Sequence, residues 1–174
     1  MNQSIFLCVL WLNLWLTSVA QSESKTSSQC NGKNNDGILI KNFDDQVPLK
    51  YLNCTGNVNT KIIKISFEIS TTKSVDQLLT LYTGPCSGSN AYLYTGQMIS
   101  STYGTLNNEK EAYLSSVKLS KSAPVTGTIM YEDAYGTSKL TLALINISTR
   151  KYDDKSDEMV TGTYELKYVN ISYA

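Results

Sequence analysis

The sequence predicts an all-β fold, an antiparallel β-sandwich of about eight strands. Three observations predict it. The segment "KIIKISFEIS" alternates, with Ile63, Ile65, Phe67 and Ile69 on one face and Lys64, Ser66 and Glu68 on the other; period two over such a run belongs to a half-buried strand. The connections "DDQ", "YTGPCSGSN", "EDAYGTS" and "DDKSDE" are built from the residues that turns and loops demand. Only "LNNEKEAYL" admits a helical period, and it is too short to decide between helix and strand.

Residues 1–20, "MNQSIFLCVLWLNLWLTSVA", carry no charged side chain. Their apolar run ends in Ser18-Val19-Ala20, small residues of the kind a signal peptidase reads. The run falls short of the ~20 apolar residues of a membrane span. It therefore reads as a signal peptide, and the mature chain as secreted and extracellular, with no membrane span. Residues 21–29 form a polar tail, and 30–174 are long enough for one domain with its own core. Strands are expected at 38–40, 47–52, 61–70, 78–82, 113–119, 125–131, 140–147 and 164–171, where apolar residues alternate. The C-terminal "KYVNISYA" carries no hydrophobic tail for a lipid anchor.

Three Asn-X-Ser/Thr acceptors, Asn53, Asn146 and Asn170, follow the signal and point to an N-glycosylated chain. Two of them test the strand phases. Leu140, Leu142 and Leu144 share a face, and unbroken alternation sends Asn146 inward beside them; Tyr164, Leu166 and Tyr168 do the same to Asn170. A glycosylated asparagine cannot be buried, so either the strand ends or bulges near Ile145, or Asn146 is bare.

Composition excludes several functions. Fifteen basic and fifteen acidic side chains balance, and Arg150 is the only arginine, so there is no basic field for nucleic acid. The chain has no histidine, which removes Ser-His-Asp and Cys-His catalysis and the usual zinc sites. The carboxylate pairs Asp44/Asp45, Glu132/Asp133, Asp153/Asp154 and Asp157/Glu158 are adjacent in sequence. They splay as solvated turns, where a glycosidase needs two carboxyls facing each other across a cleft. Cys8 leaves with the signal, so Cys30, Cys54 and Cys86 remain, an odd number in an oxidising compartment. Cys86 lies on a Gly/Ser-rich turn without a cationic neighbour to activate it. It is expected to be a free or intermolecular thiol, able to join a covalent dimer, or else to pair with Cys30 or Cys54.

Taken in order, "GILIKNFDDQVPLKYLNCTGNV", "KIIKISFEIS", "LLTLYTGPCSGSNAYLYTG" and "GTYELKY" resemble the landmarks of a CUB domain across residues 30–169. The resemblance implies a jelly-roll sandwich that binds extracellular proteins or glycans, with no cofactor and no catalysis. It also implies a Cys30–Cys54 disulfide, which in the loop-entropy model is worth roughly 3 kcal/mol. The departures are specific. Ser74 stands where the family places another cysteine, and Cys86 falls where it has none. Gln77 and Thr83 replace two aspartates, so a calcium cluster from Glu68, Asp76 and one of Asp153, Asp154 or Asp157 competes with a plain solvated acidic loop.

Tyr82, Tyr164 and Tyr168 alternate with apolar neighbours and read as core or sheet surface, whereas Tyr92, Tyr94, Tyr103 and Tyr135 lie in or near loops that could contact protein or sugar. The reading is a secreted, non-enzymatic binding module. Its rivals are a structural or coat protein cross-linked through Cys86 and a small carboxylate-based hydrolase.

Overall fold

A computed structural model describes residues 37–109, 112–132, 134, 136–154, 156 and 158–173. The expected signal peptide, the polar tail, Cys8, Cys30, Asp133, Tyr135 and Asp157 lie outside the described residues. The rest is all-β. Its strands are β1 (Leu39–Lys41), β2 (Leu49–Asn57), β3 (Ile62–Ile69), β4 (Gln77–Tyr82), β5 (Asn90–Leu93) and β6 (Met98–Leu106). Then follow β7 (Leu114–Leu119), β8 (Val125–Tyr131), β9 (Lys139–Lys151), β10 (Val160–Asn170) and β11 (Ser172–Tyr173). There is no helix among the described residues.

Eleven strands replace the expected eight because β5, β6 and β11 escape a search for alternating apolar runs. In β6 only Ile99 and Leu106 are buried aliphatics; Ser101 and Gly104 hold the inward positions between them. β5 spans four residues and β11 two. The "LNNEKEAYL" stretch contributes the end of β6 and the start of β7, with Asn107 and Asn108 at positive φ between them.

The strand order is β1-β10-β9-β5-β6-β8-β3-β2-β11, with β4 paired to both β9 and β7. All pairings are antiparallel except β11 on β2, so the sheet is mixed rather than purely antiparallel. Two strands organise it. β9, thirteen residues long, pairs with β10 along one edge and gives the other to β5 and then to β4. β6 pairs with β5 from Met98 to Ser100 and with β8 from Ser101 to Leu106, and the pairing with β8 shifts register between Ser101 and Tyr103.

The stripe read from β3 is the centre of the core: Ile63, Ile65, Phe67 and Ile69 are fully buried. Phe67 lies flat against its β8 neighbour, where a Cβ on Gly127 would run into the ring. Tyr164 of β10 is buried too; its hydroxyl donates to the Val47 carbonyl at 2.7 Å, and Phe43 meets its ring edge-on at 5.2 Å.

Asn146 and Asn170 do not turn inward as unbroken alternation requires. Opposite β5, Tyr92 pairs with Leu142 and Leu93 with Leu140, which leaves Thr141 as an extra residue on β9. Beyond this bulge the buried positions are Ala143, Ile145 and Ile147, and Leu142, Leu144 and Asn146 move to the other face. The break lies at Thr141, four residues before the expected Ile145. On β10, Tyr168 takes a φ of 63°, after which Val169 and Ile171 are buried while Tyr168 and Asn170 are exposed. The pairs Lys167↔Leu142 and Val169↔Leu140 bracket both irregular residues, so neighbouring strands change phase together and keep their register.

Phe67→Ala is expected to lower stability by about 3–5 kcal/mol. Gly127→Ala should cost about 1–3 kcal/mol through overpacking. Denaturant unfolding checks both, and unchanged midpoints would contradict this core.

Candidate functional site

The cysteines differ from expectation. A register shift at Leu52 of β2 reverses the alternation that begins at Leu49 and turns Cys54 inward, opposite Ile65, where it is 2% exposed and its thiol is free. The Cys30–Cys54 bridge is therefore not formed. Burial pushes the Cys54 thiol up to about 12, so it stays protonated and inert at neutral pH. Cys86, expected as a free or intermolecular thiol, is disulfide-bonded, and its partner lies outside the described residues.

The turn carrying Cys86 is held firmly. The Ser87 hydroxyl donates to the Gly84 carbonyl at 2.8 Å, and the Gly84 amide donates to the buried Ser101 hydroxyl at 3.2 Å. The Ser89 hydroxyl donates to the Tyr82 carbonyl at 2.5 Å and accepts the Asn146 amide at 2.9 Å. Asn146 fastens the loop to the sheet: its Nδ2 donates to the Ser87 carbonyl at 2.6 Å, and its Oδ1 accepts from Thr163 Oγ1 at 2.5 Å. Gly88, at φ 74°, lies so close to Nδ2 that a Cβ there would collide with it. The nitrogen that would carry a glycan is thus engaged beneath the loop. Asn53 and Asn170 are exposed, and each stands two residues before the matched pair Thr55–Ser172, on adjacent parallel strands.

Of the loop tyrosines, Tyr94 is 78% exposed and borders a cleft of about 350 Å³ with Thr137, Ser138 and Lys139. Tyr103 stacks on Tyr113 at 5.3 Å, and Tyr92 is a half-buried strand residue. Tyr82 is half-buried, with its hydroxyl 2.9 Å from that of Ser148. Two of the acidic residues considered for calcium, Asp76 and Glu68, stand against lysines. Asp76 pairs with Lys118 at 2.7 Å, which holds its carboxyl below the ordinary value, and Glu68 faces Lys50 across β2 and β3. No group of three metal-ligating side chains occurs among the described residues.

The structure brings together a different set. A cavity of about 570 Å³ opens where β4, β9 and β10 end beside the β3–β4 connection. Its floor is Gln77 and Thr149, 6% and 2% exposed, which continue the inward phase of Leu79–Leu81 and of Ile145–Ile147 with polar side chains. The wall is 72–75, tied down where the Thr72 amide and the Thr71 hydroxyl donate to the Gln46 carbonyl at 2.9 and 3.1 Å. Gln77 Nε2 donates to the Val75 carbonyl at 2.8 Å, joining floor to wall. The rim carries Lys73, Arg150, Lys151 and Glu158, with exposed Val75 and Val160. Lys73 reaches Asp44 at 2.9 Å. Sequence reasoning did not assemble these residues. The available signals were a polar side chain in the inward phase at two strand ends and the chain's sole arginine.

No protein-family model and no curated protein matches the chain, so the chemistry of the site rests on these residues.

Under native conditions, protein produced through a eukaryotic secretory pathway is expected to leave every thiol unreacted, and one, Cys54, should label after denaturation without reductant. Labelling of Cys86 in that experiment would contradict the disulfide. Glycopeptide mapping is expected to find sugar on Asn53 and Asn170 and an unmodified Asn146; an occupied Asn146 would mean that the 84–89 loop does not close.

Proposed function

We propose that the protein is a secreted, N-glycosylated binding module, non-enzymatic and without a cofactor, which recognises an extracellular protein or glycan at the cavity formed by the ends of β4, β9 and β10. The observation that carries this reading is the cavity itself: a hydrogen-bonding floor on strand ends, a wall fastened by backbone bonds, and charged groups at the rim. Pre-formed concave sites of about 300–1,000 Å³ with a few convergent polar groups are where ligands bind. Rigid strands beneath them keep the ordering cost low.

The fold we propose is a jelly-roll sandwich of CUB-like character. Two features support it: β6 changes partner from β5 to β8 between Ser100 and Ser101, and Tyr164 reaches from β10 to Val47 beside β2. β4 leads directly into Thr83-Gly84-Pro85, the sequence on which the resemblance chiefly rests. The disulfide framework departs from that family. With Cys54 free and Cys8 in the signal, we assign Cys30 as the partner of Cys86.

The test uses protein secreted from eukaryotic cells, tetramerised and applied to an array of extracellular proteins and glycans. Saturable binding is expected, weakened about tenfold or more by Val160→Trp or Thr72→Trp, each of which fills the cavity from an exposed position without touching the core. Absence of saturable binding would overturn the module reading; binding unaffected by either tryptophan would move the site elsewhere.

A further inference from the structure

We propose that the second cleft, the one of about 350 Å³ bordered by Tyr94 and Lys139, seats the first sugars of the chain's own Asn170 glycan, uncharged N-acetylhexosamine rings. This site is separate from the cavity at the ends of β4, β9 and β10, and the proposal rests on the reading of the chain as a secreted glycoprotein.

Position comes first. Asn170 of β10 is the register partner of Lys139 of β9, and the Ile171 amide donates to the Ser138 carbonyl at 2.9 Å. Lys139 and Ser138 both line the cleft. Cross-strand partners send their side chains to one face, with Cβ atoms about 5 Å apart. That face is the outer one, because the next pair, Val169 and Leu140, is buried in the core. Asn170 is exposed, so a glycan on it starts against the lining of the cleft.

The lining fits such a ring. Its one charged side chain, Lys139, holds its ammonium over the Tyr168 ring at 5.1 Å, and no carboxylate lines the cleft. An uncharged ligand matches that balance. The Thr137 hydroxyl is spent on the Lys139 carbonyl at 2.8 Å. Among the described residues, no hydrogen bond or ring contact engages the side chains of Tyr94, Gln97 and Ser138. The Gln97 carboxamide supplies both a donor and an acceptor, which is what an acetamido group requires. Tyr94, 78% exposed, offers an open aromatic face to the C–H face of a pyranose.

Both walls are fastened. The Leu93 amide donates to the Gln97 carbonyl at 2.8 Å and the Gly96 amide to the Leu93 carbonyl at 2.9 Å, closing the turn that carries Tyr94. Opposite, the Tyr173 hydroxyl donates to the Thr137 carbonyl at 2.5 Å. Pre-formed walls and a tethered ligand keep the ordering cost low. The volume stands at the small end of ligand cavities, which suits one or two rings and not branched antennae.

The experiment treats the native secreted glycoprotein with a peptide N-glycosidase and follows release at Asn170 and at Asn53 by mass spectrometry. Tyr94→Ala is expected to speed release at Asn170 about tenfold and to leave Asn53 unchanged. Asn170→Gln should lower the thermal midpoint by about 2–4 °C in the otherwise unaltered protein and not in Tyr94→Ala. Asn170→Gln and the double variant should unfold at one temperature, which verifies that Tyr94→Ala is harmless without the glycan. Release at Asn170 that ignores Tyr94→Ala, or an equal acceleration at both sites, overturns the proposal while leaving the glycosylation reading intact. An unmodified Asn170 overturns both the proposal and that reading at this site; binding at the other cavity is judged separately by the array.

Discussion

β9 must satisfy its backbone along thirteen residues while changing which face it offers to the core. It has β10 on one edge throughout and two different partners in succession on the other. A phase change in one strand alone would separate its inward residues from those of its neighbour. Here the bulge at Thr141 faces the left-handed Tyr168, so β9 and β10 rotate their side-chain sets at one level. The Thr141 hydroxyl donates to the Tyr92 carbonyl at 3.1 Å, and the Lys139 ammonium sits over the Tyr168 ring at 5.1 Å, covering the irregularity from both sides. Everything C-terminal on β9 depends on this rotation: Ile145 and Ile147 enter the core, Asn146 is released to fasten the loop, and Thr149 arrives at the cavity floor.

The parts of the fold legible in the sequence are those where one face is continuously apolar. β3 is the clearest, because its four inward residues are all large and its partners on both sides are antiparallel. β6 is illegible for the opposite reason: Ser101 and Gly104 face inward because the 83–84 turn and Leu81 crowd them, a tertiary circumstance that hydropathy does not encode. In β9 and β10 the apolar residues are visible but their phase is not, since nothing in "KLTLALINIS" marks Thr141 as the extra residue. The sequons at Asn146 and Asn170 do signal a choice, because burial and glycosylation exclude each other: either the strand changes phase or the asparagine is bare.

The candidate site is less legible than the fold. Gln77 and Thr149 are separated by about seventy residues in sequence and meet only because β4 pairs with the second half of β9. Their polarity in inward phase conflicts locally with the strand pattern, and such conflicts concentrate at functional sites. The cysteines show the same limit. Their number indicates an odd thiol, but which one is decided by the register shift at Leu52 that buries Cys54, a feature the hydropathy pattern does not announce.

That buried thiol has a consequence for how the chain matures. In the unfolded chain, Cys54 competes with the other cysteines for oxidation on equal terms. β2 and β3 are joined by a short connection and pair along their whole length, and local hairpins of this kind form early. Once that hairpin meets β8, Cys54 is sequestered and protonated, and it drops out of thiol exchange. Burial thus acts as a sorting step: the folded sheet, rather than the spacing of cysteines along the chain, determines which sulfur atoms remain available to be joined.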